Sequence, residues 1–258
     1  MENQGTLTKP SFSVYTADTD AKTYIDFGLP DASIMGDYSK TTWVSIDKSK
    51  DYWANDITGW RWGGEEKDLT VKKLSGHSGF LDSGSGYILG PKEAVEDIYD
   101  RILELTSSNR DNNNYRHTYP CTDRANFFPF YVNWGGYWIE VRPEDYSIES
   151  PNNSSRCFTA LDWYDTDAKN WYLGAAFMRN WYITHDYDAY RVGFTRLPGS
   201  SLPAPKDENE PWPGDPDYEG DDSDKEKKDI SAWDYASVGI GSAFIIGVFA
   251  WAIIGSSF

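Results

Sequence analysis

Two apolar residues, Phe80-Leu81, run directly into Asp82-Ser83-Gly84-Ser85-Gly86. That order of residues describes a strand delivering a carboxylate to a tight turn, with glycine where the backbone must approach closely. The pattern occurs once in the 258 residues. The surrounding composition suits a sheet around such a strand. The chain has 12 Trp, 18 Tyr, 22 Gly and 13 Pro, and few long helical periodicities, which favours an all-β domain with short helices.

A chain of this length buries one large core or two small ones. Its formal net charge of −17 argues against nucleic acid as a partner and against attraction to anionic membrane surfaces. Much of that charge is local, since residues 206–229 hold 11 acidic and 4 basic side chains. Cys121 and Cys157 allow one disulfide or two free thiols. A bridge would stabilise the fold by roughly 4 kcal/mol in the chain-entropy model. Asn152 and Asn153 begin overlapping Asn-X-Ser sequons, candidate glycosylation sites. Sequons, a cysteine pair and a membrane anchor together predict a lumenal or extracellular head.

Short strands are predicted over residues 12–15, 23–27, 43–46, 52–53 and 57–62, with turns at Gly28-Leu29-Pro30-Asp31 and Gly63-Gly64. Gly90-Pro91 opens a helix on which Val95, Ile98, Ile102 and Leu105 share a face. Residues 107–118 are Asn-rich and read as a loop. A hairpin over 127–141 turns at Asn133-Trp134-Gly135-Gly136, and 171–177 and 181–194 supply the last strands. From Leu197 to about Asp229, Pro, Gly and acidic residues dominate, which predicts an extended stalk over 198–232. Residues 236–254 are apolar apart from Ser237 and Ser242, and about 28 Å long if helical. They predict one C-terminal transmembrane helix within 233–258, with a removable GPI signal as the alternative. The opening residues 1–6 are polar and carry no secretory signal.

Taken in order, these segments resemble the C-terminal lobe of a pepsin-like aspartic endopeptidase over residues 1–197. Leu7 to Tyr15, Phe27-Gly28, Trp43-Val44, Tyr52-Trp53, the Asp82 turn, Trp171-Tyr172-Leu173-Gly174 and Gly193-Phe194 carry the likeness. The resemblance implies peptide hydrolysis by two aspartates about 3 Å apart that share a proton and activate water. It assigns Asp82 as one member of that dyad. Ser83 would bond across to the other lobe, Gly84 would make room for the turn, and Ser85 would bond the outer oxygen of Asp82. Leu173-Gly174 would pack beneath the turn. Cys121 and Cys157 fall where the family places a disulfide.

Gly86 stands where the family has Ser or Thr, and Ala175 where it has Asp. The larger departure is a second Asp-Ser/Thr-Gly, which this sequence does not contain. Met1-Glu2-Asn3-Gln4-Gly5 resembles interior family sequence, which predicts an N-terminal lobe as an upstream segment or a separate chain. Two other arrangements are open. The lobe would be a catalytically inactive structural subunit of a membrane complex, or two copies would pair their Asp82 residues. Peptide is the implied substrate, and the chemistry needs no cofactor. His77, His117 and His185 lack metal-ligand spacing, so no metal is assigned. His185-Asp186-Tyr187-Asp188 lacks the glycine and closing glutamate of a calcium loop.

Overall fold

A computed structural model describes residues 7, 9–16, 23–50, 52–63, 70–106, 118–163, 169–210 and 212. The first strands are β1 (Ser11–Tyr15), β2 (Tyr24–Phe27) and β3 (Thr42–Ser45), followed by the long strands β4 (Ala54–Trp62) and β5 (Thr70–Leu81). After β6 (Ile88–Gly90), α1 (Lys92–Glu104) begins with Pro91 at its N-cap. Proline suits that place because its fixed φ and missing N–H cost a helix start nothing. Ala94, Val95, Ile98, Tyr99 and Ile102 are the buried face of α1.

Strands β7 (Thr118–Pro120), β8 (Phe130–Trp134) and β9 (Tyr137–Val141) lead to the short helix α2 (Pro143–Tyr146). The expected hairpin is β8 and β9, and its turn places Gly135 and Gly136 at φ +61° and +85°. A side chain at Gly135 would also collide with Asn55 and Val44. The chain continues through β10 (Ser147–Ser150), β11 (Asn153–Thr159), β12 (Leu161–Trp163) and β13 (Asn170–Leu173). A single helical turn α3 (Ala175–Met178) precedes β14 (Trp181–Asp186), β15 (Arg191–Arg196) and β16 (Lys206–Asp207). The sequence predicts residues 175–177 within a strand. They instead turn helically, with the Phe177 and Met178 N–H groups both bonding Gly174 C=O.

Among the described residues the strands form three sheets. A five-stranded sheet is ordered β2-β1-β14-β15-β3, a three-stranded one β10-β11-β7, and an eight-stranded one β12-β6-β13-β5-β4-β8-β9-β16. The mostly-β architecture with short helices is the one expected. Trp60, Trp134, Trp171 and Trp181 lie fully buried in the core. Each buried indole contributes roughly 4–6 kcal/mol of apolar transfer as an upper estimate. Cys121 and Cys157 form a disulfide, 36 residues apart in sequence. It ties the 3-10 turn Cys121–Asn126 to β11.

The packed unit runs past Arg196 to Glu210. Leu202 is 1% exposed and Pro205 is buried, and Lys206 and Asp207 pair with Trp138 and Tyr137 on β9. Residues 198–210 therefore form a strap on the sheet edge, where the sequence predicts the start of a stalk. Its two apolar pegs outweigh a composition that is otherwise polar.

The expectation of a single-pass membrane protein is corrected. Among the described residues no helix is long and apolar enough to cross a membrane. The longest helix among the described residues is α1, with 13 residues and a length of about 20 Å against a hydrocarbon core of about 30 Å, and its exposed face is charged. Residues 236–254, the remaining stalk residues apart from Trp212, residues 107–117 of the predicted 107–118 loop with His117 among them, and residues 1–6 lie outside the described residues.

Candidate active site

The Asp82 turn is held by a strand from far along the chain. Strand β13 lies between β5 and β6, parallel to the first and antiparallel to the second. Leu173 pairs with Leu81 on one side and with Ile88 on the other. The loop from Asp82 to Tyr87 must therefore arch over the end of β13, and the carboxylate projects from that arch.

Backbone hydrogen bonds fix the arch from beneath. Asp82 N–H donates to Leu173 C=O at 3.1 Å, Gly174 N–H to Tyr87 C=O at 3.1 Å, and Ala175 N–H to Ser85 C=O at 2.8 Å. Within the turn, Ser85 N–H donates to Asp82 C=O at 3.2 Å. A Cβ on Gly174 would run into the carbonyls of Tyr87 and Ser85, so this position requires glycine for space.

The Asp82 carboxylate is half-buried and accepts the Gly84 N–H on Oδ1 at 3.0 Å. A Cβ at Gly84 would sit 3.1 Å from that same oxygen, so glycine keeps the carboxylate uncrowded. Ser83 is exposed. Ser85 Oγ accepts the Tyr87 N–H and donates to Tyr87 C=O, both at 3.1 Å. Its hydroxyl is thus committed to closing the turn, where the resemblance implied a bond to the outer oxygen of Asp82. The space above Gly86 is open, with nothing within 4 Å of a Cβ built there.

The walls behind the turn are aromatic. Phe80 stacks on Tyr172 with ring centroids 5.5 Å apart, and Tyr52 meets Phe80 edge-on at 5.8 Å. Deeper in β5, Trp134 Nε1 donates to Gly79 C=O at 2.8 Å. Gly79 has no side chain because Ile57 and Trp134 already fill that space. Tyr87 and Ala175 were absent from the expected site, since their part is played by backbone groups and no side-chain pattern reports it.

The remaining candidates lie elsewhere. His77 Nδ1 accepts Trp171 Nε1–H at 3.3 Å, and burial lowers its pKa. His185 is buried and stacks on Phe12 with centroids 4.1 Å apart, and burial pushes it down to about 4. Asp186 is tied to Lys9 at 3.0 Å and Arg191 at 3.2 Å. Among the described residues no group of three or more His, Cys, Asp or Glu could hold a metal ion. Asn152 and Asn153 are exposed at the β10–β11 hairpin, and Asn153 Oδ1 accepts both Ser155 N–H and Ser155 Oγ–H.

The family model for eukaryotic aspartyl protease matches residues 1–197. The chain belongs to the eukaryotic aspartyl protease family. Relatives of this aspartyl protease chain include the vacuolar aspartic protease of Candida albicans, 28% identical over 195 residues, covering 74% of this chain and 43% of the relative. Vacuolar protease A of Neurospora crassa is 28% identical over 193 residues, covering 75% and 46%. Major aspartyl peptidase 1 of Cryptococcus neoformans is 27% identical over 169 residues, covering 62% and 33%. This aspartyl protease chain thus spans less than half the length of these curated relatives.

Proposed function

We propose that this chain is the C-terminal lobe of an aspartic endopeptidase and supplies Asp82 as one carboxylate of a water-activating dyad. The observation that carries this reading is the arch itself. A half-buried carboxylate stands at the top of a turn locked by β13, with a single backbone donor on one oxygen. Such a carboxylate is rigidly placed and still open to a facing group. An N-terminal lobe, as an upstream segment or a separate chain, provides the second aspartate. With two carboxylates sharing one proton, the ionised member takes a proton from water, and the protonated member hydrogen-bonds the peptide carbonyl.

Ser83 and Gly84 then shape the turn, Ser85 closes it through Tyr87, and Leu173-Gly174 supports it from below. The Asn152 and Asn153 sequons fit an oxidising compartment, as the disulfide does. The test is peptide cleavage at acid pH by the complete assembly, with pepstatin binding as a second readout. Asp82→Asn abolishes cleavage on this reading, and normal cleavage by that variant rules it out.

Two observations favour a second reading, a protease-like lobe that serves as a structural subunit. Gly86 presents no hydroxyl to a substrate, and Ser85 is committed to Tyr87. A purified native complex with no second Asp-Ser/Thr-Gly chain would select this reading over the first.

A further inference from the structure

We propose that the strap over residues 198–210 is an acid-tightened latch: protonated Glu208 closes a two-point carboxylic acid–amide pair with Asn133. Asn133 sits on β8 and is fully buried. Its Nδ2 donates to Glu208 Oε2 at 3.1 Å, and its Oδ1 has no hydrogen-bond partner. An ionised carboxylate only accepts, so it serves the amide N–H and leaves the amide oxygen bare. A protonated carboxyl carries a donor beside an acceptor, the complement of a primary amide. It satisfies both ends of Asn133 at once.

The strap is already registered for this pairing. Glu208 N–H donates to Gly136 C=O at 2.9 Å, and Glu208 is exposed, so its carboxyl can exchange a proton with solvent. Leu202 and Pro205 anchor the strap upstream, and Arg196 Nη1 holds Leu202 C=O at 3.1 Å. The two-residue strand β16 adds little hold of its own, so the tip depends on the Glu208 clasp.

The groups that meet Glu208 are Thr58 Oγ1 of β4 at 3.5 Å, Asn133 of β8 and the Gly136 turn, none of which titrates between pH 4 and 7. The charges on the strap are Lys206, Asp207 and Glu210, with Asp207 Oδ1 occupied by Asn209. On β4 the charges are Asp56, bonded to Lys50 at 2.6 Å, and Arg61. Strand β8 carries Tyr131, and β9 carries Tyr137 and Glu140. The two-point pair exists only when the carboxyl carries a proton, so the latch tightens from neutral to acid pH.

The test is hydrogen exchange of residues 203–210 in the full chain at pH 7 and pH 4, for wild type, Glu208→Gln and Glu208→Ala. Glutamine offers the donor and acceptor of a protonated glutamate without titrating. At pH 7 the Gln variant is expected to be protected about fivefold over wild type, the scale of one net hydrogen bond. At pH 4 that ratio falls to about one, while the Ala variant stays less protected than Gln at both. A Gln-to-wild-type ratio that is the same at both pH values overturns the proposal, as does Ala protection equal to Gln.

Discussion

The backbone N–H of Asp82 donates to the carbonyl of Leu173 at 3.1 Å, so the carboxylate-bearing turn begins where the inserted strand ends. Leu173 also pairs with Leu81 and Ile88, which places one residue at the meeting of both arms of the arch. The geometry of Asp82 is therefore set by β13 more than by its own flanking residues.

Gly174 is the most sensitive position in that arrangement. Gly174→Ala would force a methyl group against the carbonyls of Ser85 and Tyr87 and break both bonds that tie the arch down. The expected cost is about 2–4 kcal/mol, from overpacking plus lost buried hydrogen bonds. Chemical denaturation measures it, and a loss under about 0.5 kcal/mol would show that the arch does not rest on Gly174.

Asp82→Asn behaves oppositely. The asparagine oxygen still accepts the Gly84 N–H, so the fold keeps its turn. Unfolding free energy should change by less than about 1 kcal/mol. This separates a loss of cleavage from a loss of structure, and a collapse of the near-ultraviolet circular dichroism would contradict it.

The disulfide spans 36 residues of sequence. Replacing Cys121 and Cys157 with serine releases that constraint on the unfolded chain. A loss of roughly 4 kcal/mol is expected in denaturant titrations under non-reducing conditions. An equal stability of the variant and the parent would place the disulfide's contribution near zero.

Two buried groups titrate with opposite sign. Burial pushes Asp145 up to about 6, against the Arg142 guanidinium beside it. The folded state thus holds that proton more tightly than the unfolded chain. Its stabilisation is complete below pH 3.8 and is lost as pH rises through about 6. Burial also pushes Glu140 up, in the same direction. His185, pushed down to about 4, works the other way: its stabilisation is present above pH 6.5 and is lost as pH falls through about 4.

The wild-type profile between pH 4 and 6.5 should therefore be shallow. Asp145→Asn should unmask a stability that rises with pH, and His185→Phe one that falls, each by about 2–3 kcal/mol. Denaturation midpoints across that range decide the matter, and parallel profiles for all three proteins would refute the assignment.

Local signals in the sequence carried the local elements. Val95, Ile98 and Ile102 behind Pro91 specify α1, and Gly135-Gly136 specifies a hairpin, because helical period and positive φ are properties of neighbouring residues. The apolar entry to Asp82 likewise marks a strand and a turn. The insertion of β13 between β5 and β6 has no such signature, since the pairing of Leu173 with Leu81 joins distant residues. The strap has no such signature either, because Leu202 and Pro205 are two pegs in a charged stretch. The Ser85 hydroxyl shows the same limit at the site, because its choice of Tyr87 is a matter of angstroms.

The crossing of β13 under the Asp82 arch also orders events during synthesis. Residues 82–87 leave the ribosome long before residue 173, and until then nothing holds the arch from below. Pairings this distant form late in folding. The carboxylate therefore acquires its fixed position only when most of the packed unit has been made, so a truncated nascent chain carries the motif without its geometry.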